Sequence, residues 1–277
     1  MKFIYGDLFA GISDFIYSIP SEHDNCHHPN TFDVAAVEAF DGIPIIFTLT
    51  SFIHSFFPVM EKVNKEVVLI THCSDWNIGE EFYSKLPKNV IHWFCPNIMI
   101  RKDRWESIPF GLENLHRFSF HHIYKIDRML AKIKEEKTYK NLVYLCYSIT
   151  TNSKERETPY KLLAGKPFVT TVRNPNIFDF DGYIDNVYRH KFVISPEGSG
   201  IDCHRTWESL YMDTIPVLKR HVNLSYYEDL PICLVNQWDE ITEEFLNKEY
   251  ERIMSSEWNL DKLYFEWWEQ RVKSFTI

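Results

Sequence analysis

Short apolar runs alternate with longer stretches of helical period along the whole chain, the pattern of parallel strands covered on both faces by helices. In the first half the runs predict strands at 3–5, 44–49, 67–71, 90–94 and 105–109, and a helix at 124–136 closes this half. In the second half strands are predicted at 142–147, 168–172, 192–194, 215–218 and 232–235. A charged, glycine-free run at 132–140 precedes the strong strand at 142, which sets a domain boundary near residue 138. The expected fold is therefore α/β, with two Rossmann-like domains at 1–138 and 139–257. The last segment, 258–277, has apolar positions at 260, 263, 264, 267, 268, 272 and 275, a helical rhythm with an aromatic face. It either packs on its own domain or returns to the first one as a strap. No internal repeat or low-complexity segment interrupts the pattern.

The region 192–221 carries the densest chemistry. An apolar strand runs into Ser195, Pro196, Glu197, Gly198, Ser199 and Gly200, then into a helix expected at 203–212 with Asp202 as its N-cap, and then into the next strand. A helix that opens straight after a strand points free amides and the positive end of its dipole at the carboxyl edge of the sheet, where an anion is stabilised. Gly198 and Gly200 let backbone approach that anion. His204, Arg205 and Glu208 lie in the first two turns. A guanidinium at Arg205 suits a phosphate fork, and a carboxylate at Glu208 suits the two hydroxyls of a ribose. The simpler reading of Arg205 and Glu208 is a surface ion pair.

Phe192 to Pro196, Gly198, Gly200, Arg205, Glu208, Ile215, Pro216 and Val217 resemble the nucleotide-sugar segment of exostosin-like glycosyltransferases. The resemblance continues more weakly through Lys140 to Tyr147 with Thr151, Asn152 and Arg156, through Ile108 to Asn114, and through Ile70 to Asp75, about half of the chain in all. It implies an inverting, metal-independent transferase of the GT-B type. The donor would be a UDP-sugar of the xylose, glucuronic acid, galactose or N-acetylglucosamine kind, and the acceptor a glycan hydroxyl. Glu197 departs from the pattern, since many relatives carry a basic residue there; an acid should not touch a phosphate, so Glu197 either faces the donor sugar's hydroxyls or faces solvent. The membrane anchor of eukaryotic members is also missing from the first residues, and the expectation is a soluble, cytoplasmic protein of viral or microbial origin.

Other site residues follow from this reading. Arg156, after the polar loop Ser148 to Asn152, places a second cation at a strand's carboxyl edge, and Asn152 offers an amide to phosphate oxygens; Arg173 is a weaker candidate. Inversion needs a base for the acceptor hydroxyl. Asp75 is the first candidate, on the expectation that partial burial after the strand at 67–71 raises its pKa, with Asp14 and Glu113 in reserve. His72 and Asn114 are candidates for holding acceptor hydroxyls.

Composition narrows the alternatives. Thirty basic against 39 acidic side chains give a net charge of −9, which argues against a nucleic-acid polymer as partner, since such binding rests on neutralising phosphates. No window approaches the length of a transmembrane span. The six cysteines contain no CxxC pair and read as reduced core residues. His23, Cys26, His27 and His28 hold metal-ligand types without a second cluster to complete a set, so no metal site is assigned. Asp179-Phe180-Asp181 is an Asp-x-Asp triplet of the kind that holds a divalent ion in other transferases, but it lies before a strand rather than at its end. The expectation is thus no obligatory metal or cofactor, with a metal-dependent transferase using Asp179 and Asp181 as the alternative. A second alternative is a saccharide-binding protein with a decayed transferase fold, to which 16% aromatic content would also be suited.

Overall fold

The computed structural model describes residues 2–18, 32–114, 119–173 and 179–276. The chain divides into two compact units: Met1–Ser119 with Tyr264–Ile277, and Phe120–Leu263. The cluster from His23 to His28 and the turn Asn174 to Asn176 lie outside the described residues.

The first unit contains α1 (Gly6–Gly11), β1 (Phe15–Ile16), α2 (Val34–Ala39), β2 (Ile45–Leu49), α3 (Ile53–Met60), β3 (Val67–His72), α4 (Glu80–Tyr83), β4 (Val90–Cys95) and β5 (Trp105–Ser107). The five strands form one parallel sheet in the sequential order β1-β2-β3-β4-β5. Every residue of β2 and β3 is buried, as continuous apolar runs require when both sheet faces are covered. The strand expected at 3–5 is not one: Phe3 bridges Tyr264 and Tyr5 bridges Leu112, each as a single pair, because Gly6 already opens α1. The edge of the sheet is instead β1, which the sequence pattern did not reveal. Gly111, at φ +70°, lets the chain pass against Ile4, whose carbonyl accepts from the amide of Leu112 at 2.7 Å; a β-carbon on Gly111 would collide with that carbonyl.

The second unit follows with α5 (Ser119–Lys132), β6 (Asn141–Cys146), α6 (Ser153–Leu163), β7 (Val169–Val172), α7 (Phe180–Tyr188), β8 (His190–Ile194), α8 (His204–Tyr211), β9 (Ile215–Lys219), β10 (Cys233–Val235) and α9 (Glu243–Met254). Its parallel sheet has the order β10-β9-β8-β6-β7. The chain leaves β6 toward β7, then crosses back and builds β8, β9 and β10 outward on the other side, with Val143 opposite Phe192 and Phe192 opposite Ile215. Strand order reverses between β6 and β8. In open α/β sheets the carboxyl edge at such a reversal is where connections diverge and leave a crevice for a ligand.

The terminal helix is shorter than its periodicity predicts. Trp258 stays with the second unit, donating its indole N–H to the carbonyl of Ile253 at 2.8 Å and packing on that unit's core. Tyr264 is extended and restarts the helix as α10 (Phe265–Lys273), which belongs to the first unit. There Phe265 meets Phe9 edge to face at 5.2 Å, Arg271 forks onto Glu106 at 2.7 Å, and Phe275 stacks on His92 at 3.9 Å. Among the described residues no helix is long and apolar enough to cross a membrane.

Candidate functional site

The reversal between β6 and β8 is where the two cationic candidates converge. Tyr147, one residue past β6, has both guanidinium groups over its ring, Arg205 at 5.4 Å and Arg156 at 5.7 Å. Arg156 comes from the first turns of α6 and is buried. Its Nε donates to the carbonyl of Glu197 at 2.8 Å and its Nη1 to that of Ser148 at 2.8 Å, so it ties the loop after β6 to the loop after β8. Asn152 does the same from the N-cap of α6, four residues before Arg156. Its Oδ1 accepts from Glu155 as the cap of α6, and its Nδ2 donates to the carbonyl of Gly198 at 2.8 Å. Gly198 in turn donates to Gly200 at 2.9 Å, closing a tight turn.

Arg205 reaches back from α8 to the end of β6, where its Nε donates to the carbonyl of Cys146 at 3.1 Å. Its Nη1 is buried and has no hydrogen-bond partner among the described residues. An unpaired buried donor on a charged group costs more than a neutral one, and such a group in a native structure calls for an explanation, a bound water, an ion or a ligand among them. Burial first, and then the charge of Arg205, push Arg156 down to about 10, so both arginines stay cationic at neutral pH. Two like charges over one ring, with no carboxylate of the described residues in ion-pair contact, make an environment that favours an anion.

The N-terminus of α8 faces the same edge. Its N-cap is Cys203, whose side chain makes no capping bond, and not Asp202 as the sequence suggested. Asp202 is buried because both of its oxygens accept from the indole N–H of Trp207 at 2.9 Å, a partner one turn inside the helix that the capping pattern does not predict. The N-cap side chain thus leaves the opening of α8 without the usual capping bond. His204 is the first residue of the helix and is partly buried. Ser195 is buried and its hydroxyl pairs with that of Thr206 at 3.0 Å, joining the end of β8 to α8.

Glu208 does not pair with Arg205. Its Oε2 accepts from the hydroxyl of Tyr183 on α7 at 2.8 Å, and no cation of the described residues lies within ion-pair distance of it. Tyr183 was not a sequence candidate; it stands 25 residues from Glu208 and only the packing of α7 beside α8 brings them together. The carboxyl of Glu197 is pushed up by burial and by Glu155, against the opposing pull of Lys219 and Lys154. Only its backbone carbonyl serves Arg156. Arg173 is exposed at the end of β7.

In the first unit His72 and Asn114 come together beside Gly6. His72 is 1% exposed and stacked between Phe9 and Phe110. Its Nδ1 accepts from the amide of Cys73 at 2.8 Å, so Nε2 donates to the carbonyl of Pro109 at 2.9 Å, and both ring nitrogens are engaged within the fold. Asp75 lies exposed in the loop after β3, without the partial burial expected of it. Asp14 Oδ2 accepts from the amide of Ile45 at 2.8 Å and pins β1 to the start of β2. Asn114 is held beside α1, accepting from Asp7 at 3.2 Å and donating to the Cys73 sulfur at 3.1 Å, and Glu113 next to it is partly exposed.

Asp179 caps α7 by accepting from Gly182 at 2.9 Å, and Asp181 pairs with Arg128 at 3.4 Å. Among the described residues no three His, Cys, Asp or Glu side chains come together as a metal-ligand set. No protein-family model matches the chain, and no curated protein matches it either.

Proposed function

We propose that this chain is an inverting glycosyltransferase of the GT-B type that binds a UDP-sugar in its second unit and a glycan acceptor in its first. The observation that carries the reading is the buried Nη1 of Arg205, unpaired among the described residues, beside Arg156 and the start of α8, whose N-cap side chain makes no capping bond, at the strand-order reversal of the second sheet. A diphosphate fits that set: guanidinium and helix amides supply donors fixed in place, and they hold most strongly when charge grows on the leaving oxygen. Glu208, close by on α8, takes the ribose hydroxyls. No metal is assigned a part, because arginines and amides already provide the positive charge. Asp75 remains the proposed base, with Glu113 as the reserve; Asp14 is the weakest of the three, since a carboxylate tied to a β2 amide is poorly placed to take a proton.

Calorimetry with UDP tests the donor site. Micromolar or tighter binding by the intact chain that drops at least tenfold in Arg205→Ala, with an unchanged circular dichroism spectrum, supports the reading. Equal binding by both proteins removes Arg205 from the site. The exposure of Asp75 favours one other reading, a saccharide-binding protein without transfer. Release of UDP from a UDP-sugar in the absence of acceptor separates the two, because only a working transferase hydrolyses its donor. Addition of EDTA to the same assay decides against the metal-dependent version if the rate is unchanged.

A further inference from the structure

We infer that Tyr183 is a positioning residue that holds Glu208 for a vicinal diol, and so makes the donor site selective for ribonucleotides. The inference rests on the donor reading above. The hydroxyl of Tyr183 donates to Oε2 of Glu208, and at 2.8 Å this is a full hydrogen bond. Burial, and then the neighbouring Glu208, hold the phenol well above its ordinary pKa, so it keeps that proton at any working pH. The ring itself is packed against Tyr144 and Phe180, both at 6.2 Å between centroids, and cannot follow the carboxylate if it moves. A glutamate has three rotatable side-chain bonds, and one oxygen fastened to a fixed phenol removes most of that freedom.

Among the described residues, Oε1 of Glu208 and the second lone pair of Oε2 have no hydrogen-bond partner. These accept neutral donors more readily than a cation, because Arg205 sits one helical turn away with its charge only partly satisfied. Two adjacent hydroxyls match two adjacent carboxylate oxygens. An amine or a metal ion would meet the repulsion of Arg205, and a deoxyribose would leave a carboxylate oxygen unpaired.

The experiment is a comparison of UDP with 2′,3′-dideoxyuridine diphosphate by calorimetry on the full chain, for the unaltered protein, Tyr183→Phe, Glu208→Gln and Arg205→Ala. The unaltered chain should prefer UDP by about tenfold or more, one charge-assisted bond's worth. Tyr183→Phe should shrink that preference to about threefold or less while its affinity for the dideoxy compound stays unchanged, and Glu208→Gln should shrink it too. A purely structural role for Tyr183 would weaken both ligands equally and leave the ratio intact, which overturns the inference. If Tyr183→Phe fails to fold, the ratio in Glu208→Gln decides, an intact ratio again overturning it. Loss of UDP binding in Arg205→Ala together with an intact ratio in Tyr183→Phe leaves the donor reading standing and removes only Tyr183. Absence of UDP binding in the unaltered chain ends both.

Discussion

Gly198 lies directly against the Arg156 guanidinium, so that a β-carbon on it would stand 2.9 Å from Nη2. Arg156 cannot swing aside cheaply. Its other nitrogens are bound to the carbonyls of Glu197 and Ser148, and the side chain is buried. The contact explains the glycine by closeness of approach, without any need for an unusual backbone angle. Gly198→Ala should therefore displace Arg156 from the loop it ties, costing about 1–3 kcal/mol in denaturant unfolding, as overpacking does, and weakening UDP binding in calorimetry. Unchanged stability and affinity would show that the loop relaxes around the methyl group.

The exposed Asp75 is expected to act on the acceptor alone. Asp75→Asn should retain UDP affinity within about threefold and lose transfer by roughly a hundredfold, measured as product formed per enzyme under saturating donor. Normal transfer in this variant would pass the role to Glu113, whose Gln variant is the next to assay.

Asp185 is the electrostatic knot of the second unit, bonded by Lys140 at 2.7 Å, Arg189 at 2.9 Å and Lys132 at 3.0 Å. Burial works to raise its pKa, but these three cations outweigh it and hold the carboxyl well below the usual carboxylate range. A depressed folded value contributes stability that is fully present above the unfolded value of about 4 and is lost as pH falls through the folded one. Asp185→Asn should thus be less stable than the parent at pH 7, with the gap closing below about pH 4 in urea midpoints. A gap that persists undiminished at pH 2 would mean that lost packing, not charge, is responsible.

His92 gives the first unit an acid sensitivity of its own. Burial, and then Arg271, push its imidazole down to about 4, and Phe275 stacks on it at 3.9 Å. The unfolded chain binds a proton at about 6.5, so stability should fall between about pH 6.5 and 4, by on the order of 3 kcal/mol at the lower limit. His92→Phe should remove that part of the slope in thermal melts at pH 7 and pH 5. The same slope in both proteins would assign the effect to other groups.

Much of this molecule could be read along its chain. The runs at 44–49, 67–71, 90–94, 142–147 and 215–218 became β2, β3, β4, β6 and β9 within a residue or two, because a strand buried on both faces must be apolar throughout and nothing distant is needed to recognise it. The Ser195 to Gly200 turn and α8 were legible for a similar reason, as glycines and a helical period are local signals. The two-residue strand β1 was not, since so short an edge segment has no period.

Partnership across the fold was decided elsewhere. Periodicity tells which side chains are buried but not what they are buried against, so Asp202 looked like a cap until Trp207 claimed both of its oxygens, and no local signal showed that Cys73 and Pro109 would engage both nitrogens of His72. The amino-acid sequence alone determined two α/β halves and the turn and helix that follow β8. Tertiary structure alone reversed the strand order between β6 and β8, set two arginines over Tyr147 and carried Tyr183 to Glu208, because pairings between residues tens of positions apart depend on the route of the chain, and that route is settled by the packing of the whole unit rather than by any local pattern.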